Sequence, residues 1–318
     1  LVVVPFMALT PEITTDYDER TALTAYRMLF NLIASLVTAV AAPMVVDMTL
    51  MRGGTLQQGY LLVAMIFGAA AIVPYLAIFF VVREGSDVER PPEMFTVRAT
   101  VRTAWENIPF RFATGLYMLN WVAFDLMSNM LPFYLTYWVA SGNLTAKMPG
   151  LGMPLESVVL GAVMLVALIM IPFWTWLSGR IGKRVAYIIS MGFGTVMLIA
   201  MFGVQPGQIP LGIGLSVLIG ISVSAAHVLP DAIFPDVIDW DELRTGTRHE
   251  GVYYGAKNFM RKLTGALAIF IALQVLGWLG YQSPPESATQ FGQPTTALWG
   301  IRILTSGVTA TVLLGATG

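Results

Sequence analysis

The chain has 318 residues, 56% of them hydrophobic and only 12% charged, with a net charge of −1. That mixture has too little charge to cover a soluble domain, so lipid is the expected solvent. No cysteine and only two histidines, His227 and His249, exclude a disulfide framework, a thiolate metal site and a His-rich centre.

In chain order, Leu1 to Leu9 reads as the tail of one apolar span, and eight further spans follow at about 24–46, 60–82, 112–140, 157–177, 185–203, 209–230, 253–280 and 297–316. The start on Leu1-Val2-Val3-Val4, with no initiator Met and no charged leader, reads as neither a signal peptide nor a natural beginning. Leu313-Leu314-Gly315 runs to the end without a polar tail, so the last span is expected to be clipped or barely complete.

Basic residues alternate between the connections. One set holds Arg20, Arg83, Arg90, Arg98, Arg102, Arg111, Arg180, Lys183, Arg184, Arg244 and Arg248; the other holds only Arg52 and Lys147. Because Lys and Arg are retained on the cytoplasmic side, the stretches 10–23, 83–111, 178–184 and 232–252 are expected there. The connection 83–111, with Pro91-Pro92 and five arginines, reads as an interdomain linker between a first helical region, 1–82, and a six-span region, 112–318.

Three stretches carry a family likeness. They are Pro5-Phe6-Met7-Ala8-Leu9-Thr10-Pro11-Glu12-Ile13-Thr14 with Asp16 to Thr21 and Tyr26-Arg27; Pro235-Asp236-Val237-Ile238-Asp239-Trp240-Asp241-Glu242 with Thr245 to Gly251 and Lys262; and Gly179-Arg180-Ile181-Gly182-Lys183-Arg184. Together they resemble the glycoside-pentoside-hexuronide:cation symporters, the melibiose-permease-like branch of the major facilitator superfamily. The resemblance implies an all-α polytopic membrane protein, two six-helix bundles about a central cavity, with this chain covering helices four to twelve of twelve. It implies a monomeric, cation-coupled symporter of a sugar, glycoside, pentoside or hexuronide in the cell membrane, and no enzyme. Its partners would be a small-molecule substrate, a coupling ion (Na+, Li+ or H+) and the bilayer, with no nucleic acid, cofactor or bound metal.

Two departures shape the substrate expectation. Some sugar-binding members carry an acid two residues before the proline matching Pro5, where this chain has Val3, and an aromatic where it has Met7. The stretch Thr24-Ala25-Tyr26-Arg27-Met28 also resembles the related branch that carries lysophospholipids. The resemblance puts the family's acidic cation ligands largely on its second helix, which is expected to lie outside this chain.

Candidate site residues come from polar groups inside apolar spans, which are expensive there unless they serve a cavity or a partner. Asp16 and Glu19 stand at capping-box spacing, and Arg27 lies about two turns, roughly 10 Å, beyond Arg20; it either snorkels to the headgroups or contacts substrate. Lys262 lies roughly 17 Å into its span, near the midplane, and the matching family lysine lines the central cavity. Arg261 points about 100° away from it, and Lys257 is expected near the interface.

Asp125, with Asn120 and Asn129 on the same span, is a candidate for substrate or cation binding, for pairing with Lys262, or for an interhelical hydrogen bond. Trp121 is a candidate sugar platform, whereas Trp138, Trp174 and Trp176 fit an interfacial aromatic belt. His227 fits a packed, hydrogen-bonded role better than a proton relay. Asp236, Asp239, Arg244, Arg248 and Arg180 form an expected cytoplasmic gate. A competing reading gives Asp236 and Asp239 a magnesium diphosphate in a membrane-embedded transferase.

Overall fold

A computed structural model of the chain describes residues 17–81, 105, 107–148, 152–245, 250–285 and 288–317. The chain separates into two compact units, Val2–Met94 and Phe95–Gly318. Arg248, the segment 10–16 and most of the expected linker lie outside the described residues.

Among its described residues the first unit holds two helices, α1 (Tyr17–Met51) and α2 (Leu56–Val81). The turn between them passes through Gly53 at φ +81, and Thr55 and Gln58 then close a capping box: the Thr55 amide donates to Gln58 Oε1 at 2.9 Å and the Gln58 amide to Thr55 Oγ1 at 3.3 Å. The two helices come close where Gly59 faces Val46, whose Cα would stand 3.1 Å from a Cβ at 59. Arg27 sits on α1, half-buried.

The second unit begins with α3 (Ile108–Phe133). Asn107 caps it through a bond from the Phe110 amide, with Pro109 in the first turn where its missing N–H costs nothing. It continues through a π-helical segment, Tyr134–Val139. Then come α4 (Leu155–Ile181), α5 (Lys183–Phe202), α6 (Ile209–Thr245), α7 (Glu250–Trp278) and α8 (Thr295–Arg302), which runs through a second π segment, Ile303–Val308, into α9 (Thr309–Gly315). Among the described residues the unit is helical, with only isolated β-bridges in its connections.

Among the described residues, seven helices are long and apolar enough to cross a membrane, including Thr295–Gly315 taken as one. The helix covering the expected span 112–140 is not among them, because Asn120, Asp125, Ser128 and Asn129 lower its hydropathy. It packs instead against α6, α7 and α9. Helix α6 corrects the expected loop at 232–252: it stays helical through Pro230 and Pro235 to Thr245, about 55 Å in all and longer than a hydrocarbon layer needs. The expected gate residues Asp236, Asp239 and Arg244 are thus on a helix extension.

Close packing relies on missing side chains. A Cβ at Gly220 would stand 2.6 Å from the Val163 carbonyl, so α4 and α6 touch backbone to backbone. Pro230 supplies the other device. It has no N–H for the carbonyl four residues earlier, and that orphan, the Ala226 oxygen, accepts from Asn120 Nδ2 at 3.0 Å.

The end of α5 is capped in a similar way. Tyr134 hydroxyl donates to the Met201 carbonyl at 2.7 Å, Trp138 Nε1 to Val204 at 2.8 Å, and the Arg302 guanidinium to Phe202. Arg302 lies within 5 Å of the centroids of Trp138, Phe202 and Trp299, a cation placed against the negative end of a helix dipole. Trp138 and Trp174 are therefore buried, not in a lipid-facing belt, and Trp174 Nε1 donates to the Ile221 carbonyl at 2.8 Å. Trp176 is exposed, with the Arg180 guanidinium 4.5 Å from its centroid.

Candidate functional site

Three helices of the second unit present polar and aromatic groups to one another at one-turn intervals: Tyr117, Trp121 and Asp125 on α3, His227 and Asp231 on α6, and Lys257 and Arg261 on α7, where Gly265 continues the column. Residues four apart share a helix face, so each helix delivers a column rather than a single group.

The first junction joins α3 to α7. Arg261 forks onto Asp125, Nη1 to Oδ2 at 3.1 Å and Nη2 to Oδ1 at 3.3 Å, and its guanidinium lies 3.8 Å from the centroid of the Trp121 ring. A Cβ at 265 would collide with Asp125 Oδ2, so the carboxylate would have to shift to admit one. The pair is partly accessible, with side-chain exposures of 24% for Arg261 and 14% for Asp125.

The second junction joins α6 to α7. Lys257 pairs with Asp231, at side-chain exposures of 3% and 9%, and its ammonium lies 4.4 Å from the Tyr117 centroid and 4.3 Å from that of Phe234. Two full charges inside a helical unit are tolerable only because each has the other, and the aromatic faces add to the ammonium's environment. Asn107 Nδ2 donates to the Tyr253 hydroxyl at 3.1 Å just beyond the pair.

Between the junctions stands His227. Its Nδ1 is 2.9 Å from the Val223 carbonyl, and its ring meets Trp121 at 5.0 Å and Phe124 at 4.8 Å, both edge-on. The packed reading of this histidine matches that geometry.

These placements revise several expectations. Asp125 pairs with Arg261, not with Lys262. Lys262 is exposed on the surface of its unit, one residue and about 100° from Arg261. Lys257 is buried in an ion pair, not interfacial. Trp121 has Arg261 over its ring and Tyr117, Phe124 and His227 in T-shaped contact with it, so the expected sugar platform is already stacked against a cation in this conformation.

Asn120 is engaged at both ends of its amide, with Tyr187 donating to its Oδ1 at 3.4 Å; it lines a small, mostly apolar cleft with Ala123, Met127, Ser222 and Thr309. Arg261, Lys257 and Asp231 were legible as charges in apolar helices, but the sequence offered no way to pair them.

The family profile described as MFS/sugar transport protein matches residues 1–317. Among curated relatives, an uncharacterized symporter of Synechocystis sp. is 30% identical over 68% of this chain and 38% of its own length. The sodium-dependent lysophosphatidylcholine symporter 1 of Gallus gallus is 25% identical over 98% of this chain and 62% of its own, and the isoprimeverose transporter of Lactiplantibacillus pentosus is 20% identical over 90% and 58%. The chain thus spans less than two thirds of the length of each of these relatives. A multi-pass helical membrane protein matched by one profile from end to end, it belongs to the MFS/sugar transport protein family.

Proposed function

We propose that the chain forms the greater part of a cation-coupled secondary transporter of the glycoside-pentoside-hexuronide:cation branch, working by alternating access, and that it is no enzyme. The observation that carries this reading is the pair of charged junctions: Asp231, Lys257 and Arg261 lie inside α6 and α7, helices apolar enough to span a bilayer, and Asp125 meets Arg261 from α3, which packs against both. Ionisable groups at such depth mark solute and ion pathways. Arg27 and Lys262 remain proposed substrate contacts, and Asp125 the proposed cation ligand. Asp236, Asp239, Arg244, Arg248 and Arg180 remain the proposed gate, on a side read as cytoplasmic from its basic residues.

For the solute, a sugar, glycoside, pentoside or hexuronide is the first reading, supported by the family profile and by the isoprimeverose transporter. A lysophospholipid is the second. It is favoured by the lysophosphatidylcholine symporter, which matches 98% of this chain, and by the Thr24 to Met28 stretch.

The test is uptake by the full-length protein in sealed vesicles, with labelled glycosides, pentosides, hexuronides and lysophospholipids and with imposed sodium, lithium or proton gradients. Gradient-dependent accumulation of one compound fixes mechanism and substrate class together. A folded, inserted protein that accumulates none of them under any gradient refutes the reading.

A further inference from the structure

Resting on that symport reading, we infer that the Asp125–Arg261 fork is an exchangeable internal salt: a monovalent cation replaces Arg261 on Asp125 while an anionic group of the solute replaces Asp125 on Arg261. The proposal names the solute's chemistry, a carboxylate or a phosphate, and it places the coupling in one pair of side chains.

Three observations carry it. The fork is the accessible junction of the two, at 24% and 14% exposure against 3% and 9% for Lys257 and Asp231, so ligands can reach it while the sealed pair keeps the helices joined. The partners are unequally held. Arg261 keeps the Trp121 face, 3.8 Å away, when its carboxylate leaves, and its planar donors match an incoming carboxylate or phosphate as they match Asp125. The Asp125 carboxylate bonds only Arg261 among the described residues, and its neighbour across the helix interface is Gly265, which brings no side chain to block an ion beside Oδ2.

Coupling follows from charge. A cation alone would strand the guanidinium, and an anion alone would strand the carboxylate, each in a partly buried place. Both together restore neutrality, so each ligand must tighten the other to the same extent. Lys262, exposed beside this junction on α7, adds positive charge for an arriving anion.

The experiment titrates purified full-length protein in nanodiscs with NaCl or LiCl, choline chloride holding the ionic strength, and reads the thermal unfolding midpoint. If the resident guanidinium holds Asp125 in nine molecules of ten, its removal tightens apparent cation affinity about tenfold. Arg261→Gln is expected to lower half-saturation about tenfold, Arg261→Lys to fall between, and Asp125→Asn and the double variant Asp125→Asn/Arg261→Gln to abolish the response.

Two further probes, a methyl glucuronide for the carboxylate and lysophosphatidylcholine for the phosphate, with methyl xyloside as the neutral control, identify the anion. The effective anionic probe should shift wild-type cation affinity, and Arg261→Gln should lose that shift. An unchanged half-saturation in Arg261→Gln, a response that survives Asp125→Asn, or the same cation linkage with the neutral xyloside overturns the proposal. Gradient-driven uptake that persists in Asp125→Asn sinks the exchange and leaves the transporter reading intact.

Discussion

Removing one member of the sealed ion pair tests the packing of α6 on α7 most sharply. In Lys257→Met the ammonium disappears while the Asp231 carboxylate stays, at 9% side-chain exposure, with its buried partner gone. Breaking a buried pair from one side costs about 3–5 kcal/mol, because an uncompensated charge remains. The methionine fills most of the volume between Tyr117 and Phe234, so little of that cost is cavity. Asp231→Asn strands the ammonium instead, but the aromatic faces at 4.3 and 4.4 Å offset part of the loss, up to about 2 kcal/mol, so this variant should be the milder.

Replacing both, Lys257→Met with Asp231→Asn, removes both charges and should recover most of the stability, as polar pairs exchanged for uncharged groups often do. The assay is a double-mutant cycle on full-length protein in nanodiscs, by denaturant or heat, where reversibility permits free energies. A coupling of about 2 kcal/mol or more is expected. Single variants within about 0.5 kcal/mol of the parent, or a strictly additive double, would refute the account of a mutually dependent buried pair.

Three other outcomes follow from neighbouring contacts. Asn120→Ala leaves the Ala226 carbonyl without its donor and should cost about 1–3 kcal/mol, but much less in a Pro230→Ala background where the backbone N–H returns; equal costs in both backgrounds count against Asn120 standing in for the N–H that Pro230 lacks. Gly265→Ala should displace Asp125 from Arg261 and destabilise by about 1–3 kcal/mol, an effect that Asp125→Ala relieves if the collision is the cause, as melting midpoints would record. Arg302→Met removes the donor to the Phe202 carbonyl and the cation among three rings, and a loss of about 2–4 kcal/mol in the same assay is expected, with Arg302→Lys recovering only part because it lacks the fork.

Much of the fold could be read along the chain because bilayer solvation acts locally. A run of about 20 apolar residues is a span wherever it packs, and arginines gather at alternate ends for reasons that need no tertiary contact. The reading erred where a distant partner overrode the local signal. The stretch 232–252 has the charge of a loop, yet α6 runs to Thr245, with Lys183 Nζ donating to the Ala232 carbonyl at 2.9 Å beside Pro235. Trp174 stands near a span end, as an interfacial residue would, yet it is buried because the Ile221 carbonyl of α6 takes its N–H.

The site shows the same division. The sequence by itself determined that charges occur inside apolar helices, that Lys257 and Arg261 lie four apart and so share a face, and that Lys262 does not share it. Which face turned inward was decided by the packing of α7 on α3 and α6. Successive helical residues differ by about 100°, so the docking that aims Arg261 at Asp125 necessarily carries Lys262 to the outside of the unit. No local feature distinguishes those two adjacent cations; only the carboxylate on another helix, 136 residues away in sequence, does.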